Sequence, residues 1–260
     1  QRAASVYQVA FRFSTVAESN PIARRAVEVF EKAVVLDSKG VFPTCTPVRI
    51  PFKSSAMHGY WCPADSDKYN VTAVPTLVAL NGFDSTAEMF YKVAVAGMHP
   101  RGYNVLVMEG PGQASTARFD HLYFQYNYEE PVSAMVDWVI ENHNVNQSNL
   151  VLWGVSLGGY LAPRAFAFEP RFSALIANGG VLDFYQVLVC RWPENLQQLY
   201  YANTEATDAA LNAIFDEVIV SNEAPAFLQH FSDLDFGNTR MNVTQIFDAF
   251  MNFTLNSSDV

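Results

Sequence analysis

Residues 149–166 read NLVLWGVSLGGYLAPRAF, and the reading of Ser156 within them decides the fold. NLVLW has the make-up of a buried strand, and GGYLAPRAF that of a helix. Between them Gly154-Val155-Ser156-Leu157-Gly158 fits G-x-S-x-G. Alone, that pattern is weak, because small residues also flank a serine wherever a helix packs tightly on a strand. On a sharp strand-to-helix turn it carries weight. The serine then sits at a strained apex, and side chains beside it would clash as strand and helix converge. Ser156 is therefore the candidate nucleophile. The same geometry calls for an oxyanion site. One donor is the backbone N–H of Leu157, and the second belongs to the loop after an earlier strand. That loop is Asn81-Gly82-Phe83-Asp84, with Phe83 N–H as the donor. Such donors are commonly worth about 3 kcal/mol each.

Outward from the elbow, strand and helix alternate between about residues 73 and 180. AVPTLVAL (73–80) and YNVLVMEG (103–110) are continuous apolar runs, as for strands buried on both faces. Ser85 and Glu88 read as a capping box opening the helix STAEMFYKVAVAG. A polar, aromatic loop follows Gly110-Pro111-Gly112 to about Tyr128, then an amphipathic helix EEPVSAMVDWVIEN. After the elbow comes one more strand, FSALIANGG (172–180). The alternation predicts an α/β domain with a mostly parallel, doubly wound sheet. Before it, CTPVRIPF and SAMHGYWCPA read as two strands joined around Lys53-Ser54-Ser55. Further upstream are a helical stretch over 4–13 and a second helix with Asn20 as N-cap and Pro21 at its first position. From Asp183 onward every apolar segment looks helical. The expected organisation is an N-terminal helical arm (1–44), an α/β core (45–182) and a helical cap (183–260).

Half of the 260 residues are hydrophobic and 16% are charged, so a packed core is expected. The net charge of -10 argues against a nucleic-acid partner. No apolar run reaches the roughly 18 residues of a membrane span. The three cysteines, Cys45, Cys62 and Cys190, lack metal-type spacing. They read as free thiols in a reducing compartment, which gives a cytoplasmic expectation. Five N-x-[ST] sequons, at Asn70, Asn146, Asn242, Asn252 and Asn256, together with a first residue that is not Met, keep secretion open. No metal or cofactor is expected.

LNGFDSTAEMF, MEGPGQ, LWGVSLGGYLAPRAFAFEPR and ANGGVLDF together resemble one branch of the α/β-hydrolase superfamily. That branch includes 2,6-dihydroxypseudooxynicotine hydrolase and fungal hydrolases that shorten polyketides in pigment biosynthesis. The resemblance covers roughly residues 20–190 and is strongest at the elbow. It departs at Ala114, where the family tends to carry Gly. It implies a serine enzyme that cleaves a C–C bond beside a ketone, or an ester, in an aromatic or polyketide-like small molecule through an acyl-enzyme. It also implies a helical arm and a helical cap.

In the superfamily the serine is followed by an acid and then a histidine, each after a further strand. No such strands are read before Val260, so the C-terminal strands of the sheet, with the acid and the base, are expected beyond it. Within the chain only His230 lies downstream of the serine, and it reads as a cap residue. Asp183 follows a sheet strand and Glu109 ends another at the same edge, which makes both candidate substrate contacts. The alternative for Asp183 is an N-cap, and for Glu109 a turn-stabilising role. Tyr123, Phe124, Tyr126 and Tyr128 read equally as pocket lining or packing. A non-catalytic binding protein on the same fold, or a serine acyltransferase or cyclase, is the alternative function. The N-terminal helices offer a homodimer contact. Residues 1–260 alone are expected to be poorly soluble and inactive, because the last strand would keep an open edge.

Overall fold

The computed structural model describes residues 16–35, 45–69, 73–221, 237 and 241–255. Six strands form one sheet: β1 (Thr46–Phe52), β2 (Ser55–Cys62), β3 (Val74–Leu80), β4 (Asn104–Glu109), β5 (Val145–Val155) and β6 (Ala174–Asn178). Their order is β1-β2-β4-β3-β5-β6. The hairpin β1–β2 is antiparallel and joins β4 antiparallel, while β4–β3, β3–β5 and β5–β6 are parallel. The expected mostly parallel α/β sheet is present.

Side chains of the central strands alternate between two cores, as a pleat of period two requires. Leu77 and Ala79 of β3, with Val105 and Val107 of β4, meet Phe30 of α1 (Val16–Val35) and Phe90, Tyr91, Ala94 and Val95 of α3 (Ala87–Met98). Val78, Leu80, Leu106 and Met108 face α5 (Glu129–Asn142) and α6 (Gly158–Phe168) on the other side. Two-sided burial explains why these strands read as continuous apolar runs. The lone turn α2 (Ser66–Tyr69) precedes β3, and α4 (Ala114–Asp120) follows β4. After β6 come α7 (Phe184–Val189), α8 (Glu194–Ala202), α9 (Glu205–Ser221) and α10 (Val243–Ala249). Phe250 and Phe253, just past α10, pack into the same core as α6.

Several expectations need correction. Helix α1 begins at Val16 and runs through Pro21, so Asn20 is not its N-cap; Asn20 Oδ1 instead accepts a hydrogen bond from Arg118 at 3.2 Å. The cap of α3 is Thr86, whose side chain accepts the Met89 N–H at 3.3 Å. Ser85 and Glu88 are drawn elsewhere: Ser85 Oγ accepts the Gly82 N–H and Glu88 the Tyr60 hydroxyl. The loop after Gly112 contains α4. Cys45 and Cys62 are not free thiols but a disulfide. Thr46 pairs with Trp61, so the next residues outward face each other across the hairpin. Cys190 is free and exposed. The helix expected over residues 4–13 and His230 lie outside the described residues.

Candidate active site

Strand β5 ends at Val155 and helix α6 begins at Gly158, leaving Ser156 and Leu157 as the whole of the turn. Ser156 has φ 59°, in the left-handed region that an L residue adopts only at a cost of about 1–3 kcal/mol. Its N–H donates to the Asn178 carbonyl at the end of β6 (2.9 Å), and its carbonyl accepts the Gly159 N–H (2.7 Å). The turn is thus fixed from both sides while the serine itself is exposed. Both motif glycines are required by close approach. A Cβ on Gly154 would stand 1.8 Å from the Gly158 carbonyl oxygen, and one on Gly158 would stand 2.7 Å from the Leu80 and Asn81 carbonyl oxygens. No side chain fits either place.

Helix α6 contains Pro163 in its second turn. Proline has no N–H to bond the Gly159 carbonyl four residues back. That carbonyl accepts the Val181 N–H instead (3.2 Å), tying the segment after β6 to the elbow helix. Leu157 directly precedes the first residue of α6, so its amide is among those with no intrahelical acceptor. The positive end of the helix macrodipole points the same way.

The Asn81–Phe83 loop closes on the elbow from the end of β3. A Cβ on Gly82 would lie 2.9 Å from Ser156 Cβ and 3.3 Å from its Oγ. Because β3 lies between β4 and β5, the two loops meet at the switch point of the sheet, on its C-terminal edge. The structure therefore brings Ser156, Leu157 and the Phe83 loop together. The Phe83 ring stacks on Phe124 (5.7 Å between centroids) and tilts toward Phe250 (6.1 Å). Tyr128 is buried, and Tyr126 is exposed beside Arg164.

Glu109 and Asp183 are engaged elsewhere. Glu109 is buried, with Oε1 accepting the Ala87 N–H and Oε2 the Ser115 N–H, both at 2.7 Å, so one carboxylate serves the first turns of α3 and α4. Burial, and then the charge of Glu88, push its pKa up to about 8 against those two amides. Asp183 caps α7, its Oδ1 accepting the Gln186 N–H at 2.8 Å. It also bridges to Thr254 beside the bonds Phe184 N–H to Phe253 O and Leu255 N–H to Leu182 O.

A histidine–carboxylate pair does exist, unread in the sequence. His58 Nε2 contacts Asp120, which also takes hydrogen bonds from Arg49 and from Ser55 Oγ (2.8 Å). Burial lowers the His58 pKa, against the pull of Asp120. Burial also opposes ionisation of Asp120, but the bonds from Arg49, Ser55 and His58 outweigh it and hold its carboxyl below the usual range. Yet His58 lies on β2, three strand spacings or roughly 14 Å from β5. His99 contacts the Pro63 carbonyl and His143 stacks on Trp61. Among the described residues no group of three or more His, Cys, Asp or Glu is arranged to hold a metal ion. No helix among them is long and apolar enough to cross a membrane.

The profile of the prolyl oligopeptidase family matches residues 90–249, more than half of the chain. The chain belongs to the prolyl oligopeptidase family. The chain is 40% identical over 124 residues to hydrolase LUC6 of Fusarium sp and 37% identical over 124 residues to 20-hydroxy-prefusarin hydrolase FUS2 of Gibberella moniliformis. Each match covers 46% of this chain and 29% of the relative, so the chain spans less than a third of the relatives' own length. Among solved structures, 2,6-dihydroxy-pseudo-oxynicotine hydrolase superposes with a TM-score of 0.62 at 23% identity, over 89% of this chain and 61% of that one. Wild-type AbyA5 superposes with a TM-score of 0.67 at 16% identity, over 98% and 60%. At these identities the structural likeness bears on the fold alone. The branch of the superfamily read from the elbow and loop segments agrees with the two fungal hydrolases.

Proposed function

We propose that the full-length protein is a serine hydrolase acting on an aromatic or polyketide-like ketone or ester. The observation that carries this reading is the left-handed backbone of Ser156, held at φ 59° by bonds to Asn178 and Gly159. A serine kept in a strained conformation on an over-determined turn is a residue whose strain has a use. That favours an enzyme over a binding protein that merely retains the fold.

In this reading Ser156 Oγ adds to the substrate carbonyl as its proton passes to a histidine base. The resulting oxyanion is met by the amides of Leu157 and Phe83. The tetrahedral adduct collapses with loss of an enolate where a second carbonyl stands β to the first, or of an alkoxide from an ester, and the leaving group takes up the proton. Water then hydrolyses the acyl-enzyme and frees Ser156. We propose that the histidine and its acid come from residues outside those described. We further propose an oxidising compartment rather than the cytoplasm, a reading that the Cys45–Cys62 bridge supports.

A fluorophosphonate probe applied to the full-length protein is expected to label wild type at Ser156 and to leave Ser156→Ala unlabelled. Equal labelling of the two would rule out Ser156 as the nucleophile.

A further inference from the structure

Gln113 is fully buried, and all its amide atoms are in use. Oε1 accepts the Gly110 N–H (2.8 Å) and the Tyr128 hydroxyl (3.2 Å). Nε2 donates to the Asn81 carbonyl (2.9 Å) and the Gly82 carbonyl (3.2 Å). Two donors on one side and two acceptors on the other allow only one orientation of this amide.

The Gly82 carbonyl and the Phe83 N–H belong to the same peptide group. A trans peptide is planar, with C=O and N–H pointing in opposite directions, so a bond that fixes one fixes the other. Gly82 lies so near Ser156 that a Cβ on it would stand 2.9 Å from the serine Cβ, and it has no side chain to hold it. Gln113 therefore reaches from the loop after β4 and sets the direction of an amide beside the nucleophile.

We propose that Gln113 is a positioning residue of the oxyanion site, aiming the Phe83 N–H through the Gly82 carbonyl. This rests on the reading of Ser156 as nucleophile and Phe83 N–H as oxyanion donor. The bond is present before substrate arrives, so its effect falls on the transition state, where the charge develops, and little on ground-state binding.

The test uses the full-length protein, an aryl ester substrate and a trifluoromethyl ketone, which forms a tetrahedral adduct with the serine. Gln113→Leu removes the bonds. It is expected to lower kcat by about 100-fold, the order seen for loss of an oxyanion donor, with KM changing by less than about threefold. Trifluoromethyl ketone affinity should fall by the same factor as kcat/KM.

Gln113→Glu keeps an acceptor for Gly110 and Tyr128 and turns only the loop contacts repulsive. Its activity relative to wild type should recover as pH falls and the carboxyl gains a proton to donate to the Asn81 or Gly82 carbonyl. Gln113→Leu should show no such recovery. A merely structural role would give neither the matched loss of analogue affinity nor the pH-dependent rescue. A folded Gln113→Leu with kcat within about threefold of wild type would overturn the proposal. So would a Gln113→Glu deficit that does not change with pH. Should wild type itself fail to react with a fluorophosphonate at Ser156, the parent reading falls, which is a separate result.

Discussion

Ala114 and Ser156 both hold positive φ, at 27° and 59°, and only for Ser156 do we propose a chemical use. Ala114 opens α4 beside Gln113, at the position where the branch resembled by the sequence tends to carry glycine. A left-handed non-glycine residue costs about 1–3 kcal/mol, while glycine's extra freedom in the unfolded chain costs about 0.5–1 kcal/mol. Ala114→Gly should therefore stabilise the protein by up to about 2 kcal/mol, read as a higher urea midpoint at an unchanged slope. A lower midpoint would show that the backbone at Ala114 is relaxed. The elbow was legible in sequence because its glycines are dictated by contacts within one strand–turn–helix unit. Gln113 was not, because its partners at Asn81 and Gly82 lie some thirty residues away and are backbone carbonyls that any sequence supplies.

Among the elements, those buried on two faces declared themselves and those held by polar bonds did not. β3 and β4 are apolar over their central residues, Leu77–Leu80 and Val105–Met108, because helices cover both their faces. Helix α4 buries Ser115, Thr116 and Arg118, so it lacks an apolar stripe and read as loop. The α3 cap was misplaced by one residue because Ser85 and Glu88 have tertiary partners in Gly82 and Tyr60. The disulfide does have a sequence signal: Cys45 and Cys62 lie symmetrically about the turn at Lys53-Ser54.

The joint between α3 and α4 has a pH dependence with a definite sign. The Glu109 pKa is raised from 4.5 to about 8 on folding, so the folded state keeps a proton that the unfolded chain releases between those values. Its contribution to stability is present below about pH 4.5 and is lost as pH rises toward 8. Glu88→Gln removes the neighbouring charge and keeps an acceptor for Tyr60. Urea unfolding across this window should show a shallower fall in stability for Glu88→Gln than for wild type. Identical slopes would mean that burial alone sets the Glu109 pKa.

On the scale of the whole molecule, the sheet ends at β6, which has no strand on its outer side among the described residues. Ile176 in that strand is 43% exposed. An uncovered apolar strand edge templates association with other chains. Residues 1–260 should accordingly give less soluble protein than the full-length chain. Ile176→Lys should raise the soluble yield of 1–260, because a charge on an open strand blunts such pairing. No gain in yield would locate the association elsewhere. The strand order also governs the order of events in time. β3 lies between β4 and β5 and precedes both in the chain. A ribosome adding about 5–20 residues each second needs roughly 4–15 seconds to pass from the end of β3 to the end of β5. Throughout that interval the most apolar strand of the protein is already made while at least one of its two neighbours is not. The nascent chain is most vulnerable at its future centre, and a chaperone has its longest opportunity there.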